Sequence, residues 1–360
     1  MQSARSSGAT GASSPQSATD WVASLSPWPA DGFGLDRMHA LLDRLGRPER
    51  RFDTVHVVGS KGKSTAARTI SALLRAEGIS AAAYTSPHVA GWEERLETDE
   101  RGFECAVARV RGEAEAVGAT QFEILTAAAL LDFAERGIEV AVVEAGLGGR
   151  LDATNVVDAK VVLLTNVGLE HTEILGDTRE AIAGEKLAVA KPGAVVVLPD
   201  REFAALVPDN EIRIGGARAA AAAYLGRPVE AEVSVRLAGR FERRGTEVRD
   251  GAHTPEAADW LLDRLPRPYD YVVVASVLGD KDVGGLLERF SRAGRTLVAT
   301  QSSNARALPA SVLAEHGRRV FGDVVELADP RAALAFARGL GRAVLVTGSL
   351  YLLADLSKEE

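Results

Sequence analysis

The sequence predicts an α/β protein of two domains, the first built around a phosphate-binding loop and the second a smaller unit of the same alternating kind. Three observations carry that prediction. Short β-branched runs alternate with helical stretches along most of the chain, as in parallel strands joined by crossover helices. A Gly-Lys-rich turn, Gly59-Ser60-Lys61-Gly62-Lys63-Ser64-Thr65, joins one such run to one such helix. The length, 360 residues, exceeds one ordinary domain and suits two.

Residues 1–19 are dominated by Ser, Ala, Gly and Thr. Nothing there builds a core, and the apolar stretch of a signal peptide is missing, so a flexible tail is expected over 1–27. Order is expected to begin near Trp28. Leu35, Met38, Leu41, Leu42 and Leu45 fall at helical spacing and predict a helix over 35–46. Thr54 to Val58 reads as a buried strand. After the glycine turn, apolar positions 66, 67, 70, 73 and 74 mark one helix face, with Gly78 as its stop. Strands follow at 80–85, 140–143, 161–165 and 194–198, with helices around 122–135 and 178–190. Segment 216–235 is Ala-rich with little pattern, and the domain boundary is placed near its end, giving 28–235 and 236–360. The second domain carries strands at 246–250, 270–275, 296–300, 323–327 and 343–346, and a helix from Pro255. The fold class is therefore a P-loop-containing, parallel-sheet domain of ATPase type followed by a smaller Rossmann-like α/β domain.

Composition narrows the function. The net charge is −8, which gives no whole-molecule attraction for nucleic acid or an anionic membrane. The single cysteine, Cys105, excludes an internal disulfide and a multi-cysteine metal site. No apolar run approaches the roughly 18 residues of a membrane span. The expected setting is the cytoplasm.

The chemistry concentrates at strand ends. Glycines let a backbone approach an anion, and a helix N-terminus presents unpaired N–H groups to it. Lys63 could then reach β and γ phosphates, and Ser64 or Thr65 could offer a hydroxyl to Mg²⁺. The loop is short for this pattern, with Val57 where the longer form has Gly, so a glycine-rich turn with a solvated lysine stays open. Glu144 ends an apolar strand and suits an Mg²⁺ carboxylate or a solvated acid. His171 emerges after the next strand, where a structural role is the commoner one. Glu185-Lys186 reads from spacing as a surface ion pair. Asp152 suits a turn or cap. In the second domain, Arg240, Asp250, His253 and Thr254 sit at a strand–helix junction that could face a ligand across a cleft.

Taken together, HVVGSKGKST, YTSPHV with EERL, FEILTAAALLDFA, VVEAGLGGRLDATNVV, LLTNVGLEHTEILGDTREAIAGEKLAVAKPG, DGAHTPEAA, VLGDKD, NARAL and VTGSL resemble the folylpolyglutamate synthase/dihydrofolate synthase branch of the Mur ligase superfamily, in order from about residue 33 to 355. The resemblance implies an ATP-dependent amide ligase of folate biosynthesis and one-carbon metabolism. It would join L-glutamate to dihydropteroate, tetrahydrofolate or both through an acyl phosphate. It implies that Gly59, Ser60, Lys61, Gly62, Lys63, Ser64 and Thr65 hold ATP, that Ser86, Glu144 and His171 hold Mg²⁺, and that Lys186 is carbamylated. Arg240, Asp250 and His253 would close on the nucleotide, while Phe122, Glu123, Leu151, Asp152 and Ala153 would line the pterin pocket. A monomer is implied. The chain departs from the pattern at Lys61 and Thr254, where Asn is usual, and around Gly216, where the usual adenine-contacting Asn is missing. A ligase recruited to another carboxylate or amine, a non-catalytic nucleotide-binding subunit and a stand-alone ATPase are the alternatives.

Overall fold

The computed structural model describes residues 17–30, 32–266 and 270–357. Of the tail expected over 1–27, residues 1–16 lie outside the described residues.

Two six-stranded sheets organise the chain. The first contains β1 (Asp53–Val58), β2 (Ala81–Tyr84), β3 (Val140–Glu144), β4 (Ala159–Leu164), β5 (Val195–Leu198) and β6 (Glu211–Ile214), in the order β2-β3-β1-β4-β5-β6, all parallel. Around it run α1 (Ala18–Ala23), α2 (Asp36–Arg44), α3 (Lys63–Ala76), α4 (Glu100–Val117), α5 (Gln121–Glu135), α6 (Thr172–Leu175), α7 (Arg179–Leu187) and α8 (Ala217–Leu225). Residues 226–241 carry no helix or strand and lead to the second sheet. That sheet contains β7 (Glu242–Arg244), β8 (Glu247–Arg249), β9 (Val272–Ala275), β10 (Thr296–Ala299), β11 (Asp323–Glu326) and β12 (Val344–Thr347), in the order β11-β10-β9-β12-β8-β7. Only β7 runs antiparallel. Its helices are α9 (Pro255–Leu262), α10 (Val283–Phe290), α11 (Ala310–Gly317), α12 (Pro330–Gly339) and α13 (Leu350–Ser357).

The central strands are buried on both faces, which is why they read as continuous apolar runs rather than alternating ones. Val55 and Val57 turn to the face covered by α3 and α8. Val58 turns to the opposite side, where α7 packs, and Ala141 and Val143 meet α4 and α5. β1 sits at the centre, and the chain winds to either side of it. The crevice outside the carboxyl ends of β1, β3 and β4 is thus the topological switch point, where open α/β sheets bind ligands. Among the described residues, no helix is long and apolar enough to cross a membrane.

Three sequence expectations need correction. Order begins before Trp28: Ser17 caps α1, and Trp21 and Val22 are buried in the core against α4. Three buried residues in a six-residue helix, one of them alanine, are too few for a periodicity signal, so the Ser-rich context hid them. The Ala-rich segment is not patternless, because α8 packs Ala220 and Ala221 against α3, and its small side chains allow the close approach. A sixth strand, β6, extends the first sheet beyond the four strands expected after β1.

The Arg111 guanidinium lies 4.9 Å from the Trp21 ring centre, so that ring is covered by both core and cation. Trp21→Ala is expected to cost about 3 kcal/mol in urea unfolding. A loss below about 0.5 kcal/mol would show that the first helix does not belong to the cooperative fold.

Candidate active site

The loop after β1 is shaped by its neighbour β4. Gly59 has φ +144°, and a Cβ there would lie 2.0 Å from Thr165 Oγ1, so only glycine fits. The Ser60 amide donates to the Asn166 carbonyl (3.0 Å). The Lys61 amide donates to Asn166 Oδ1 (2.9 Å), and Thr165 Oγ1 and Asn166 Nδ2 donate to the Lys61 carbonyl (2.7 and 3.0 Å). Gly62, left-handed at φ +76°, starts α3. Those bonds occupy the Ser60 and Lys61 amides, so the anion cradle is Gly62 to Thr65, which line the crevice at the N-terminus of α3.

Two lysines converge on one carbonyl. Lys63 Nζ donates to Gly59 O at 3.0 Å, and Lys186 Nζ donates to the same oxygen at 3.1 Å. Lys186 also donates to Glu170 Oε1 at 2.9 Å. Its side chain is 2% exposed, so the surface pair expected with Glu185 is not formed; Glu185 pairs with Arg150 instead. The i,i+1 spacing misled because neighbours on a helix point apart. Burial lowers the Lys186 amine from its usual range, against the pull of Glu170.

Glu144 ends β3 with its carboxylate buried. Oε1 accepts from Ser64 Oγ (3.1 Å) and Oε2 from the Ser86 amide (2.9 Å). Burial raises its carboxyl, opposed chiefly by the Lys63 charge. A buried carboxylate beside the Ser64 hydroxyl fits a hard divalent cation that prefers oxygen. His171 lines the same cavity from a left-handed backbone (φ 47°), and burial lowers its imidazole toward the neutral form. Among the described residues, no three His, Cys, Asp or Glu side chains cluster as a ready-made metal cage. The donor set suits a cation shared with phosphate oxygens rather than one held by protein alone.

These groups line one cavity of about 620 Å³ between the two sheets. Ser60 to Thr65, Ser86, Glu144, His171, Lys186, Arg240 and His253 all reach it. His253 Nδ1 lies 2.8 Å from the Gly251 carbonyl, which can only accept, so Nδ1 carries the proton and Nε2 holds the free lone pair. Gly59 acts through its backbone. Asp250 is placed differently from the sequence expectation. It does not line the cavity, because its oxygens accept from the Phe241 and Ala252 amides (2.8 and 2.9 Å) and hold that turn.

Phe122, Glu123, Leu151, Asp152 and Ala153 line the other end of the same cavity. The two acids build its walls. Glu123 accepts from the Thr120 amide (2.7 Å) and from Arg37 (3.2 Å). Asp152 accepts from the Gly146, Leu147 and Thr154 amides. Sequence reading missed Trp28 and Phe33, whose rings meet edge to face at 5.8 Å at the mouth of this apolar end. It also missed Arg95, Glu170, Lys281 and Tyr351 on the walls. Glu170 adjoins His171 and was within reach; Trp28 and Phe33 sit in a Pro-Gly-rich segment without periodicity.

Residues 57–211 match the Mur ligase middle domain, and residues 239–350 match the Mur ligase, glutamate ligase domain. The dihydrofolate synthase/folylpolyglutamate synthase of Mycobacterium tuberculosis is 29% identical over 82% of this chain and 80% of its own length. The structure of Escherichia coli FolC in complex with DHPP and ADP superposes with a TM-score of 0.82 at 26% identity, covering 95% of this chain and 97% of that one. The bifunctional folylpolyglutamate synthase/dihydrofolate synthase from Yersinia pestis, complexed with AMPPNP and Mn ion, gives 0.81 at 27% identity, covering 96% and 98%.

Gly149 tests the placement of Lys186. A Cβ there would lie 2.6 Å from the Lys186 carbonyl and 2.7 Å from that of Glu185, both backbone atoms. Gly149→Ala is expected to displace the end of α7 and lower kcat/KM on the order of 100-fold with a cooperative unfolding transition retained. Activity within about threefold of the parent would show that the Lys186 position does not matter.

Proposed function

The chain belongs to the folylpolyglutamate synthase/dihydrofolate synthase family of Mur ligases, and from that premise we propose that it joins L-glutamate to a folate-type carboxylate at the expense of ATP. One observation carries the reading. A single cavity brings the Lys63 loop and Glu144 together with an aromatic slot, and the second sheet's Arg240 and His253 face the same space.

The residues assign themselves to steps. The amides at the start of α3 and Lys63 take the triphosphate, with Lys63 exchanging the Gly59 carbonyl for phosphate oxygens. Glu144 and Ser86, with His171 on the same wall, would hold Mg²⁺, which neutralises charge at the γ-phosphate. The acceptor lies with its ring system between Phe122, Leu151 and Trp28 and its carboxylate toward the cations of the phosphate loop. A carboxylate oxygen forms a bond to the γ-phosphorus, the bridging P–O bond breaks, and ADP leaves with that electron pair. The glutamate amine then attacks the acyl carbon, loses a proton and displaces phosphate. Arg240 and His253 approach from the second sheet, and closure of the cleft keeps water from the acyl phosphate.

Lys186 suits the carbamylated state that the family resemblance implies. Burial favours the neutral amine that adds carbon dioxide. A carbamate there requires the 2.9 Å bond to Glu170 to open, because two anions cannot share it without a cation between them. In this reading residues 28–235, extended forward by α1, form the nucleotide-binding domain, and 236–360 form the domain that closes on it. The protein acts as a cytoplasmic monomer, since one chain supplies both walls of the cavity, and its net charge of −8 gives it no pull toward nucleic acid.

Mass analysis of products decides the acceptor. With ATP, Mg²⁺ and glutamate, a gain of one glutamyl unit is expected on 7,8-dihydropteroate, on tetrahydrofolate, or on both. No gain on either from folded, ATP-binding protein would overturn the folate assignment and favour a ligase recruited to another carboxylate. Hydrolysis of ATP without any amine would favour a simple ATPase, and binding without turnover a non-catalytic subunit.

A further inference from the structure

Arg95 is a buried cation that the steps above do not use. It closes the short turn at Trp92–Leu96, is 8% exposed, and lines the cavity. Its neighbours are neutral. Nε donates to His88 Nδ1 at 2.9 Å, so that nitrogen is an acceptor. A ring that accepts at Nδ1 keeps its one proton on Nε2 and is uncharged. The phenol hydroxyl of Tyr84, a neutral donor and acceptor, is a further hydrogen-bond partner of Arg95. The Trp92 ring centre lies 5.4 Å from the guanidinium carbon. Glu144 acts on Arg95 only through space, with its oxygens taken by Ser64 and the Ser86 amide. Among the described residues, no carboxylate comes within 4 Å of Arg95, whereas the other buried cation of the cavity, Lys186, has Glu170.

A buried guanidinium without an anion is costly, and the cost is recovered when an anion arrives. The fork matches a carboxylate in two parallel bonds and is rigidly rooted here by His88 and Tyr84. For the phosphates the ligase reading has Lys61, Lys63, Arg240 and the N-terminus of α3. We propose that Arg95 is the receptor for a substrate carboxylate, belonging either to the incoming amino acid or to the acceptor, and that it sets which carboxylate is kept beside Glu144. This assignment rests on the ligase reading and adds a subsite to it.

Steady-state kinetics of the full chain tests it. Arg95→Gln is expected to raise the KM of one carboxylate substrate on the order of 10-fold to 100-fold while the KM for ATP stays within about twofold. Arg95→Lys should fall between. A rise for glutamate alone assigns the amino acid, and a rise for the acceptor alone assigns the acceptor. Added guanidinium should restore part of the lost affinity in Arg95→Ala, which a packing defect would not allow. All KM values unchanged, a rise for ATP alone, or a fall in kcat without a KM change would each overturn the proposal. Should Arg95→Gln fail to fold, Arg95→Lys and the guanidinium rescue decide on their own. Failure of the parent protein to form any glutamyl product would instead refute the ligase reading.

Discussion

The site depends on the contact between Gly59 and Thr165. β1 and β4 lie side by side, and the threonine at the end of β4 fills the space any larger side chain at Gly59 would need. The Gly59 carbonyl accepts from both Lys63 and Lys186. Asn166 and Thr165 hold Lys61 by its backbone. The anion cradle is therefore a property of two strands and the residues just past them, not of the loop alone. Phosphate oxygens can take the place of this carbonyl for the Lys63 ammonium. Exchanging a neutral acceptor for a charged one is downhill, since hydrogen bonds between charged partners are roughly twice as strong as neutral ones.

Charge then divides the cavity. Lys61, Lys63, Lys186 and Arg240 line the phosphate end, where Glu144 and Glu170 are the acids, and the apolar end is bounded by Trp28, Phe33, Phe122 and Leu151. Glu123 and Asp152 belong to that second end by position, yet their oxygens are spent on the backbone and on Arg37. They define its shape while leaving it apolar. A flat, largely apolar acceptor with one carboxylate pointing toward the cations fits this division, and a small hydrophilic acceptor would leave the aromatic surface uncovered.

Much of this was legible in the sequence, and the reasons are local. The central strands are apolar on both faces, so their runs are continuous and easily bounded. The loop carries its own signal because glycine is required at Gly59 and Gly62 for backbone reasons. Helix α4 was legible but unread: Phe103, Ala106, Val107, Val110 and Ala114 form a regular buried stripe among charged residues. The pairing of Lys186 with Glu170 was not legible, because the two residues lie on different elements and meet only when α7 folds onto the end of β4. Asp250 looked like a ligand by its place at a strand end, and only the structure shows its oxygens turned onto Phe241 and Ala252. Arg95 was equally hidden, since nothing in the local sequence says that its neighbours are neutral.

The account stands on one chemical claim, that this cavity activates a carboxylate by transferring phosphate to it. Oxygen-isotope transfer tests that claim most directly. With the acceptor carboxylate labelled with ¹⁸O, turnover in unlabelled water with ATP and glutamate should deliver one labelled oxygen to the inorganic phosphate released. Phosphate free of label, formed at the rate of amide product, would mean that the carboxylate never bonded to phosphorus and would contradict the account.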